Sequence, residues 1–521
     1  MDVVVRNLNI SLADNYNVLR RFRHLVLSAA SGIILALAMP EPGWSVLAWV
    51  GLMPLMVALR DAGAKRAAAC GLVSGLVYYG IILRWIALFG LLPWVLLSIQ
   101  QALFFAAFAV IFVRVAPNRT GKLGYVAVPA AWTALQYLRT LGPFAFTWGS
   151  LAHTQADSLN VAQIAAITGP WGIDFLLCFV SLAVSYVDLF KRRTLAPLAV
   201  AALLTIGVFT FGAVSLRGHE PTGARYKVAV IQGNMKNDLR PIPNYIPKAM
   251  QRYFQLTRVA SKNKPDLILW PETALPTDIS DLIIATPLSD LAIETGSFLL
   301  VGGYDLPDPV HSNCIYNSLQ GITADGEYVG VYRKVHLVPY GEFVPLRNLM
   351  PFLKNYGIRD HDLCAAQQHA LLDTPIGKVG TSICFESIFS NIARGEALGG
   401  AEILCVVSND AWLQRTPATE HHLMMARLRA IENRRYLMRA AGTGISAVID
   451  PYGRIRQRLD VFHAGIITDY VVANRTLTVY TRFGDWFAYL SLIIVVIGLL
   501  SNVTSTSKPG HQKHHKRNPR K

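Results

Sequence analysis

Long hydrophobic runs mark two parts of the chain. A helix needs about 20 apolar residues to cross a hydrocarbon core of roughly 30 Å. Runs of this kind, some of them shorter, occupy residues 25–40, 44–59, 68–88, 91–113, 123–139, 168–190, 195–215 and 485–503. The pattern predicts a membrane domain over residues 1–217 with seven transmembrane helices, the first two forming a tight hairpin at PEPG (40–43), and an eighth helix at 485–503.

The region 221–475 has a different pattern, in which short apolar runs typical of strands alternate with amphipathic stretches. The predicted strands are 226–232, 266–270, 298–304, 378–383 and 402–408, and the predicted helices are 244–262, 387–399 and 419–438. Strands that alternate with helices are typical of one α/β domain. Residues 504–521 form a basic, polar tail.

The composition excludes two broad classes of protein. Hydrophobic residues make up 52% of the chain, charged residues only 16%, and the mean hydropathy is +0.35. An ordinary soluble protein has about 25% charged residues, and a disordered chain combines low hydrophobicity with high charge. The composition therefore excludes both an ordinary soluble protein and a disordered chain.

The net charge of +16 could indicate nucleic-acid binding. Much of the excess lies in short loops between apolar runs, so we predict no nucleic-acid partner.

Lysine and arginine are distributed unevenly among the short loops. They occur in the N-terminal segment, in the loops 60–66, 114–122 and 191–193, and in the tail, whereas the loops 40–43, 89–90 and 140–167 contain none. Positive loops stay in the cytoplasm. Both termini are therefore predicted to be cytoplasmic, and the α/β domain to lie on the periplasmic face of a bacterial inner membrane. Ala36-Leu37-Ala38 imitates a signal-peptide cleavage site, but we expect the first helix to be retained.

Three stretches of the α/β domain place reactive side chains near predicted strand ends. Glu272 follows the strand DLILW and Pro271, and Lys334 lies in YRKVHLVPYGE. Taken alone, each could be an ordinary surface residue. Cys384 stands where a strand ends before the predicted helix 387–399, a position that would lower its thiol pKa and supply an oxyanion site. The alternative for Cys384 is an inert buried thiol, but α/β folds place their sites at strand ends.

These stretches resemble a known family. Glu272 in WPET, Lys334 in YRKVHLVPYGE and Cys384 in ICFES are similar to the triad of the nitrilase, or carbon–nitrogen hydrolase, superfamily, whose fold is an α-β-β-α sandwich. The segments SNDAW (408–412), ARLRAIENRRY (426–436) and GTGISAVIDPYGRI (442–455) extend the likeness. Together with the helices, the chain resembles the apolipoprotein N-acyltransferases, through WTALQYLR (132–139), TWGSLAHTQ (147–155), TGPWGIDFL (168–176) and TRFGDWF (481–487).

The resemblance implies a mechanism. Glu272 would be the base, Cys384 the nucleophile that forms a thioester, and Lys334 the oxyanion stabiliser. A phospholipid, typically phosphatidylethanolamine, would donate an acyl chain to the N-terminal amine of a diacylglyceryl-cysteine apolipoprotein, the last step of bacterial lipoprotein maturation. No metal and no organic cofactor is expected. Supporting roles fall to Glu342 and Glu386, which would orient Lys334 and support the thiol site, and to Phe385.

Two other functions remain open at this stage. One is a membrane-tethered nitrilase-like amidase or hydrolase, in which water is the acceptor. The other is a lipid-binding or assembly protein that has lost its activity. The intact Glu272, Lys334 and Cys384 favour an enzyme over the latter.

Some features depart from the family pattern or are undecided. Gln136 stands where a Glu is usual, and no Trp follows Gln-Gly-Asn at 232–234, with Tyr245 as a possible substitute. The apolar, proline-punctuated stretch 337–361 is predicted to be an active-site arm that admits lipid, or else a covered core loop. The sequence does not decide whether Cys314 and Cys364 form a disulfide.

Overall fold

The computed structural model describes residues 22–187, 192–217, 222–235, 244–307, 314–345 and 362–506. The first part of the chain is helical. Its α-helices are Phe22–Leu37 (α1), Met53–Leu59 (α2), Ala64–Ile82 (α3), Leu91–Val115 (α4), Pro117–Thr120 (α5), Gly124–Leu138 (α6), Leu159–Ala162 (α7), Ala165–Thr168 (α8), Trp171–Ser185 (α9) and Arg192–Leu216 (α10). The predicted spans at 44–59 and 68–88 are each interrupted, because 3₁₀ turns form at Ser45–Trp49 and Arg84–Phe89.

By length and composition, two helical stretches of the described chain could cross a membrane: Leu91–Leu138 and Leu195–Leu216. Shorter apolar helical stretches are Phe22–Leu37, Ser45–Leu59, Leu159–Thr168, Trp171–Ser185 and Trp486–Asn502. The helical N-terminal region is therefore confirmed, and the number of spans stays a prediction.

Small residues let α3 and α4 pack at close range. A Cβ atom on Gly71 would stand 2.4 Å from the Phe105 carbonyl oxygen, and one on Gly75 would stand 2.7 Å from Ala102 Cα. Small residues at such positions allow helix backbones to approach closely in apolar surroundings. Phe105 also meets Trp132 of α6 edge to face, with ring centroids 5.0 Å apart. These contacts join α3, α4 and α6 into one core.

The second part of the chain forms two β-sheets. Its strands are Arg225–Gln232 (β1), Leu267–Leu269 (β2), Leu275–Asp278 (β3), Phe298–Asp305 (β4), Tyr316–Ile322 (β5), Tyr328–Arg333 (β6), Leu372–Thr374 (β7), Gly377–Ile383 (β8), Ile403–Ser408 (β9), Leu437–Ala441 (β10), Ser446–Ile449 (β11), Ile455–Leu459 (β12) and Gly465–Val472 (β13). One sheet has the order β13-β1-β2-β4-β5-β6, with β3 paired to β4, and the other has the order β12-β11-β10-β9-β8-β7.

The helices of this part are Tyr245–Ser261 (α11), Leu282–Thr295 (α12), Ser390–Leu398 (α13) and Ala418–Asn433 (α14), followed by Val479–Phe483 (α15) and the apolar Trp486–Thr506 (α16). Side chains alternate across a strand, and β1 shows the result. Val228 and Val230 lie in the core between the two sheets, whereas Ala229 and Ile231 pack under α11 and α12. Helices α13 and α14 cover the other sheet. The predicted α-β-β-α arrangement is confirmed.

One predicted helix is wrong at its C-terminal end. The pattern at 419–438 predicts a continuous helix, but α14 ends at Asn433, and Arg434 adopts a left-handed conformation with φ 52°. Leu437 and Met438 then pair with Leu404 and Cys405 in β10 and β9. Pairing with a buried central strand overrides the local helical pattern.

Candidate active site

Lys334 lies immediately after β6, at the centre of a buried charged cluster. Its Nζ is 2.9 Å from Oε1 of Glu342 and 3.3 Å from Oε1 of Glu272, and the side chain is almost completely buried. Burial alone would lower the pKa of this amine, but the charges of Glu342 and then Glu272 outweigh burial and raise it. Lys334 is therefore a fixed ammonium ion held by two carboxylates.

Glu272 follows β2, as the sequence predicts. The chain at Pro271 passes so near β4 that a Cβ atom on Gly302 would stand 2.0 Å from the Pro271 carbonyl oxygen, a close approach that requires glycine there. Asn317 Nδ2 donates to Oε1 of Glu272 at 2.7 Å, and the backbone N–H of Asn409 donates to Oε2 at 2.6 Å. Both oxygens of this carboxylate are thus oriented by neighbours.

Glu342 contacts Lys334 more closely than Glu272 does. Its Oε1 also accepts a 3.1 Å hydrogen bond from Asn317, and its Oε2 accepts a 2.9 Å bond from the Val338 N–H. Burial alone would raise the pKa of Glu342, yet Lys334 and these hydrogen bonds lower it overall. The expected contact with Lys334 is present, and Glu342 stays ionised as its partner.

Cys384 begins a short 3₁₀ helix, Cys384–Ile388, directly after β8. It is half-buried, and its backbone is left-handed with φ 54°. Such a φ is uncommon for any residue except glycine. The side chain therefore leaves the sheet at a sharp turn, as the strand-end position predicts.

The predicted lowering of the Cys384 pKa is wrong. Burial raises the pKa of this thiol, the charge of Glu272 raises it further, and Lys334 opposes the rise. The regular helix expected at 387–399 begins only at Ser390. The residues after the thiol form one 3₁₀ turn, so the dipole of a long helix does not start at the sulfur. The resting thiol is protonated and needs a base.

Glu386 contacts the backbone beside both Lys334 and Cys384. Its Oε1 accepts from the N–H groups of Val335 and His336, at 2.7 and 3.0 Å, and its Oε2 accepts from the Ile383 N–H at 2.7 Å and the Tyr332 hydroxyl at 2.9 Å. It forms no ion pair with Lys334. Glu386 therefore links the end of β8 to the backbone after Lys334 through hydrogen bonds. Burial raises the pKa of Glu386 to about 7.

Phe385 faces the helical domain. Its ring stacks on Phe146 with centroids 6.2 Å apart, meets Phe389 edge to face at 5.2 Å, and lies 5.7 Å from the His336 ring. The residue next to Cys384 is therefore part of an aromatic contact between the two domains.

The loop that carries Phe146 is held from within the helical domain. Arg139, which is buried, donates to the carbonyl oxygens of Phe146 and Trp148 and to the side chain of Gln136. Gln136, the departure from the family pattern, thus acts as a neutral acceptor for Arg139. The Thr147 hydroxyl in this loop donates to the carbonyl of Ile388 at 2.8 Å. The helical domain therefore contacts the turn that begins at Cys384 directly.

Several residues of the site were not predicted. Asn317 lies on β5, a strand absent from the predicted pattern, and bridges Glu272 and Glu342. Asp410 lies in the SNDAW segment directly after β9, and its position after a strand could have indicated a site residue. His422, within α14, and Arg439, within β10, have no such position. These last three form a buried group behind Cys384.

The other features noted in the sequence have mixed outcomes. Tyr245 is buried at the start of α11, and its role as a substitute for Trp stays a prediction. Residues 346–361, most of the predicted arm, lie outside the described residues.

Cys314 and Cys364 form a disulfide, with Cα atoms 5.6 Å apart. Within the described ranges, no group of three or more His, Cys, Asp and Glu side chains is arranged to hold a metal ion.

Comparisons with known proteins cover both parts of the chain. The carbon–nitrogen hydrolase family profile matches residues 227–477, and the apolipoprotein N-acyltransferase N-terminal domain profile matches residues 31–183. The apolipoprotein N-acyltransferase of Geobacter metallireducens is 33% identical, over 90% of this chain and 93% of its own length. That of Gloeobacter violaceus is 30% identical, over 95% and 96%.

A solved structure is also similar to part of the chain. Saccharomyces cerevisiae Nit3, a member of branch 10 of the nitrilase superfamily, has 22% identity and a TM-score of 0.39, covering 49% of this chain and 93% of its own. The two profiles together with the full-length relatives decide the family. The chain belongs to the apolipoprotein N-acyltransferase family.

Proposed function

We propose that this acyltransferase moves a fatty acyl chain from a membrane phospholipid, typically phosphatidylethanolamine, to the N-terminal amine of a diacylglyceryl-cysteine apolipoprotein, through a thioester on Cys384. One observation carries the proposal. The buried Lys334 ammonium stands between two carboxylates, and both Lys334 and Glu272 act electrostatically on the Cys384 thiol. This is the set of groups that acyl transfer through a cysteine requires.

The first half-reaction makes the thioester. Glu272 accepts the thiol proton as Cys384 Sγ attacks the ester carbonyl, and the carbonyl electrons move to oxygen. Lys334 stabilises that oxyanion, a contribution of about 3 kcal/mol for one donor. Collapse breaks the ester C–O bond, and the leaving alkoxide takes the proton from Glu272 and departs as a lysophospholipid.

The second half-reaction makes the amide. The apolipoprotein amine attacks the thioester carbonyl, Lys334 again stabilises the oxyanion, and the C–S bond breaks. Glu272 takes a proton from the amine and returns one to the sulfur, so Cys384 is regenerated as a thiol. Because one nucleophile serves two substrates in turn, the kinetics are expected to be ping-pong.

The geometry favours Glu272 over Glu342 as the base. Glu342 lies closer to Lys334, and the balance of its surroundings lowers its pKa, so it remains the counter-ion. Glu272 carries the second negative charge of the cluster, and that charge raises the pKa of the thiol. A proton moved from Cys384 to Glu272 shifts this second negative charge to the sulfur and then to the substrate oxygen, where Lys334 stabilises it.

The helical domain supports a location in the bacterial inner membrane. Large apolar side chains are exposed on helices that surround its core, among them Leu91, Leu103, Leu203, Ile206 and Val214, and Leu500 on α16. Such extensive apolar surface is unusual on a soluble protein and fits a lipid surround. We propose the multi-pass arrangement predicted above, with seven transmembrane helices in residues 1–217, an eighth at 485–503 and both termini cytoplasmic.

The catalytic domain, residues 221–475, is then periplasmic. The Cys314–Cys364 disulfide in this domain supports that side, because disulfides persist in the oxidising periplasm and are rare in the cytoplasm. The names of the full-length relatives favour acyl transfer over the amidase or hydrolase alternative.

The test is intact-protein mass after incubation with phosphatidylethanolamine vesicles, followed by addition of a diacylglyceryl-cysteine peptide. We expect a fatty acyl adduct that the peptide removes as its N-acyl product. Cys384→Ala should give neither adduct nor product, whereas Cys405→Ala, the control, should give both. Cys405 is a suitable control because its thiol is fully buried and contacts the Thr381 hydroxyl, whereas Cys384 is only half-buried. Acylated peptide from Cys384→Ala, or a periplasmic reporter that is inactive when fused after residue 217, would overturn the proposal.

A further inference from the structure

A buried polar group that the mechanism above does not use lies directly behind the nucleophile. His422 on α14 is almost completely buried, and its Nε2 is 3.1 Å from the Cys384 carbonyl oxygen and 2.8 Å from the hydroxyl of Ser387. Ser387 is itself buried in the 3₁₀ turn that Cys384 begins. The imidazole therefore contacts the backbone of the nucleophile and not its sulfur.

The hydrogen bonds decide which ring nitrogen carries a proton. The Ser387 hydroxyl donates to the Cys384 carbonyl at 2.8 Å, so its single proton is used there. The Ser387 oxygen must then accept from His422, and the Cys384 carbonyl can only accept. Nε2 of His422 is consequently a donor, shared between these two oxygens.

The other side of the ring is held by a buried ion pair. Nδ1 of His422 is 3.1 Å from Oδ1 of Asp410 and 3.0 Å from Nη2 of Arg439, and this same Nη2 donates to Oδ2 of Asp410 at 2.8 Å. Burial alone would raise the pKa of Asp410, but Arg439 and His422 lower it overall. Asp410 is an anion, and the ring is restrained on both edges.

This restraint acts on an unfavourable backbone conformation, that of Cys384 itself. Cys384 has φ 54°, and a left-handed non-glycine residue persists only where its surroundings over-determine it. The carbonyl that His422 and Ser387 hold belongs to this residue. Rotation of that peptide group would turn Cα and swing the Cys384 sulfur away from Lys334 and Glu272.

We infer that His422 is a positioning residue for the reaction. With Ser387 it holds the Cys384 carbonyl, and thereby aims Sγ at the substrate carbonyl, while Asp410 and Arg439 hold the imidazole in place. The inference rests on the proposed role of Cys384 as the nucleophile. His422 neither takes a proton from the substrate nor donates one to it.

A matched pair of substitutions tests this role. A glutamine at 422 can place its amide N–H groups near the position of Nε2, whereas an asparagine reaches only the position of Nδ1. Both are neutral amides and both leave Asp410 paired with Arg439. We expect His422→Gln to retain most of the rate of acyl-adduct formation on Cys384. We expect His422→Asn to slow it by about 10²-fold, the effect of misplacing a reacting atom by about 1 Å, with little change in KM for phospholipid.

Alkylation by iodoacetamide separates this inference from the proposed function, since it reports the position and reactivity of the Cys384 thiol without any acyl donor. His422→Asn should change the alkylation rate of Cys384, and His422→Gln should not. His463→Gln, at an exposed site, is the control for the substitution itself. A protein whose Cys384 is alkylated normally but never acylated would contradict the proposed function instead.

Ser387→Ala provides a second test if the histidine variants fold poorly. It removes the other donor to the Cys384 carbonyl, so it should also slow adduct formation without raising KM. Ser387→Ala should slow adduct formation much less when His422→Asn is already present. Ser387 and His422 hold the same carbonyl group together, so loss of one already releases it. Equal adduct rates in His422→Asn, Ser387→Ala and the unsubstituted protein would overturn the inference.

Discussion

The backbone N–H of Asn409 donates a 2.6 Å hydrogen bond to Oε2 of Glu272, although 137 residues separate them. Glu272 follows β2 in one sheet, and Asn409 follows β9 in the other. The bond therefore joins the two sheets at the edge where Cys384 lies. The position of the proposed base therefore depends on both sheets.

Glu272 and Lys334 should shift the Cys384 pKa in opposite directions. The negative charge of Glu272 raises the pKa of the thiol and the positive charge of Lys334 lowers it. Glu272→Gln should therefore move the midpoint of iodoacetamide alkylation against pH to lower pH, and Lys334→Met should move it to higher pH. The measurement is alkylation rate as a function of pH, with Cys384→Ala as the blank.

In Glu272→Gln, acyl transfer should be lost even though the pKa of the Cys384 thiol is lower. This variant has a more easily ionised thiol but cannot take a proton from it, so no acyl adduct should accumulate. Intact-protein mass against time gives the result. Rapid adduct formation in Glu272→Gln would show that another group, with Glu342 or Glu386 the next candidates, is the base.

Lys334→Met should slow both half-reactions without preventing them. The base remains and one oxyanion donor is lost, which corresponds to about 10²–10³-fold in rate. A slow adduct should still form during long exposure to phospholipid. Lys334→Arg should not restore the rate, because a planar guanidinium cannot replace a compact ammonium between two carboxylates. Full activity in Lys334→Arg would contradict the assigned role.

The disulfide should stabilise the segment that holds the charged cluster. Next to Cys364, the Leu363 N–H donates to the carbonyl of Glu342 at 2.8 Å. The crosslink joins residues 50 positions apart, and closing a loop of that size typically stabilises by about 2–4 kcal/mol. The free energy of unfolding of Cys314→Ser/Cys364→Ser should be lower by that amount, so this variant should unfold at a lower temperature.

Reduction provides the control for the disulfide prediction. A phosphine reductant should lower the unfolding temperature of the unsubstituted protein toward that of the double variant and leave the double variant unchanged. If reductant and substitution both leave the unfolding temperature unaltered, the bond contributes nothing to the stability of this domain.

The contact from the helical domain should matter for catalysis. Thr147→Val keeps the shape of the side chain but removes the donor to the Ile388 carbonyl, a loss of about 1 kcal/mol. We expect slower adduct formation, whereas Thr147→Ser, which keeps the hydroxyl, should behave as the unsubstituted protein. Adduct rates against phospholipid concentration measure this. Equal rates in the Val and Ser variants would show that the contact is structural only.

Much of this protein could be predicted from local pattern alone. Hydrophobic runs predict the helical region, short apolar runs predict β1, β4, β8 and β9, and three motifs predict Glu272, Lys334 and Cys384. These features depend on residues near each other in sequence, where period and chemistry can be read directly. The helix predicted at 419–438 failed in its last turn for the opposite reason, because β10 is a strand only when β9 lies beside it.

The surroundings of the triad were decided by the tertiary structure. Asn317 bridges two carboxylates only because β5 lies beside β4, and His422 meets the Cys384 carbonyl only because α14 packs behind it. The direction of the Cys384 pKa shift was likewise decided by the tertiary structure. Its place at a strand end was evident in the sequence, but the direction of its shift depended on burial and on a carboxylate more than a hundred residues earlier. Sequence determines which groups are available, whereas desolvation and charge–charge distances exist only once the chain has folded.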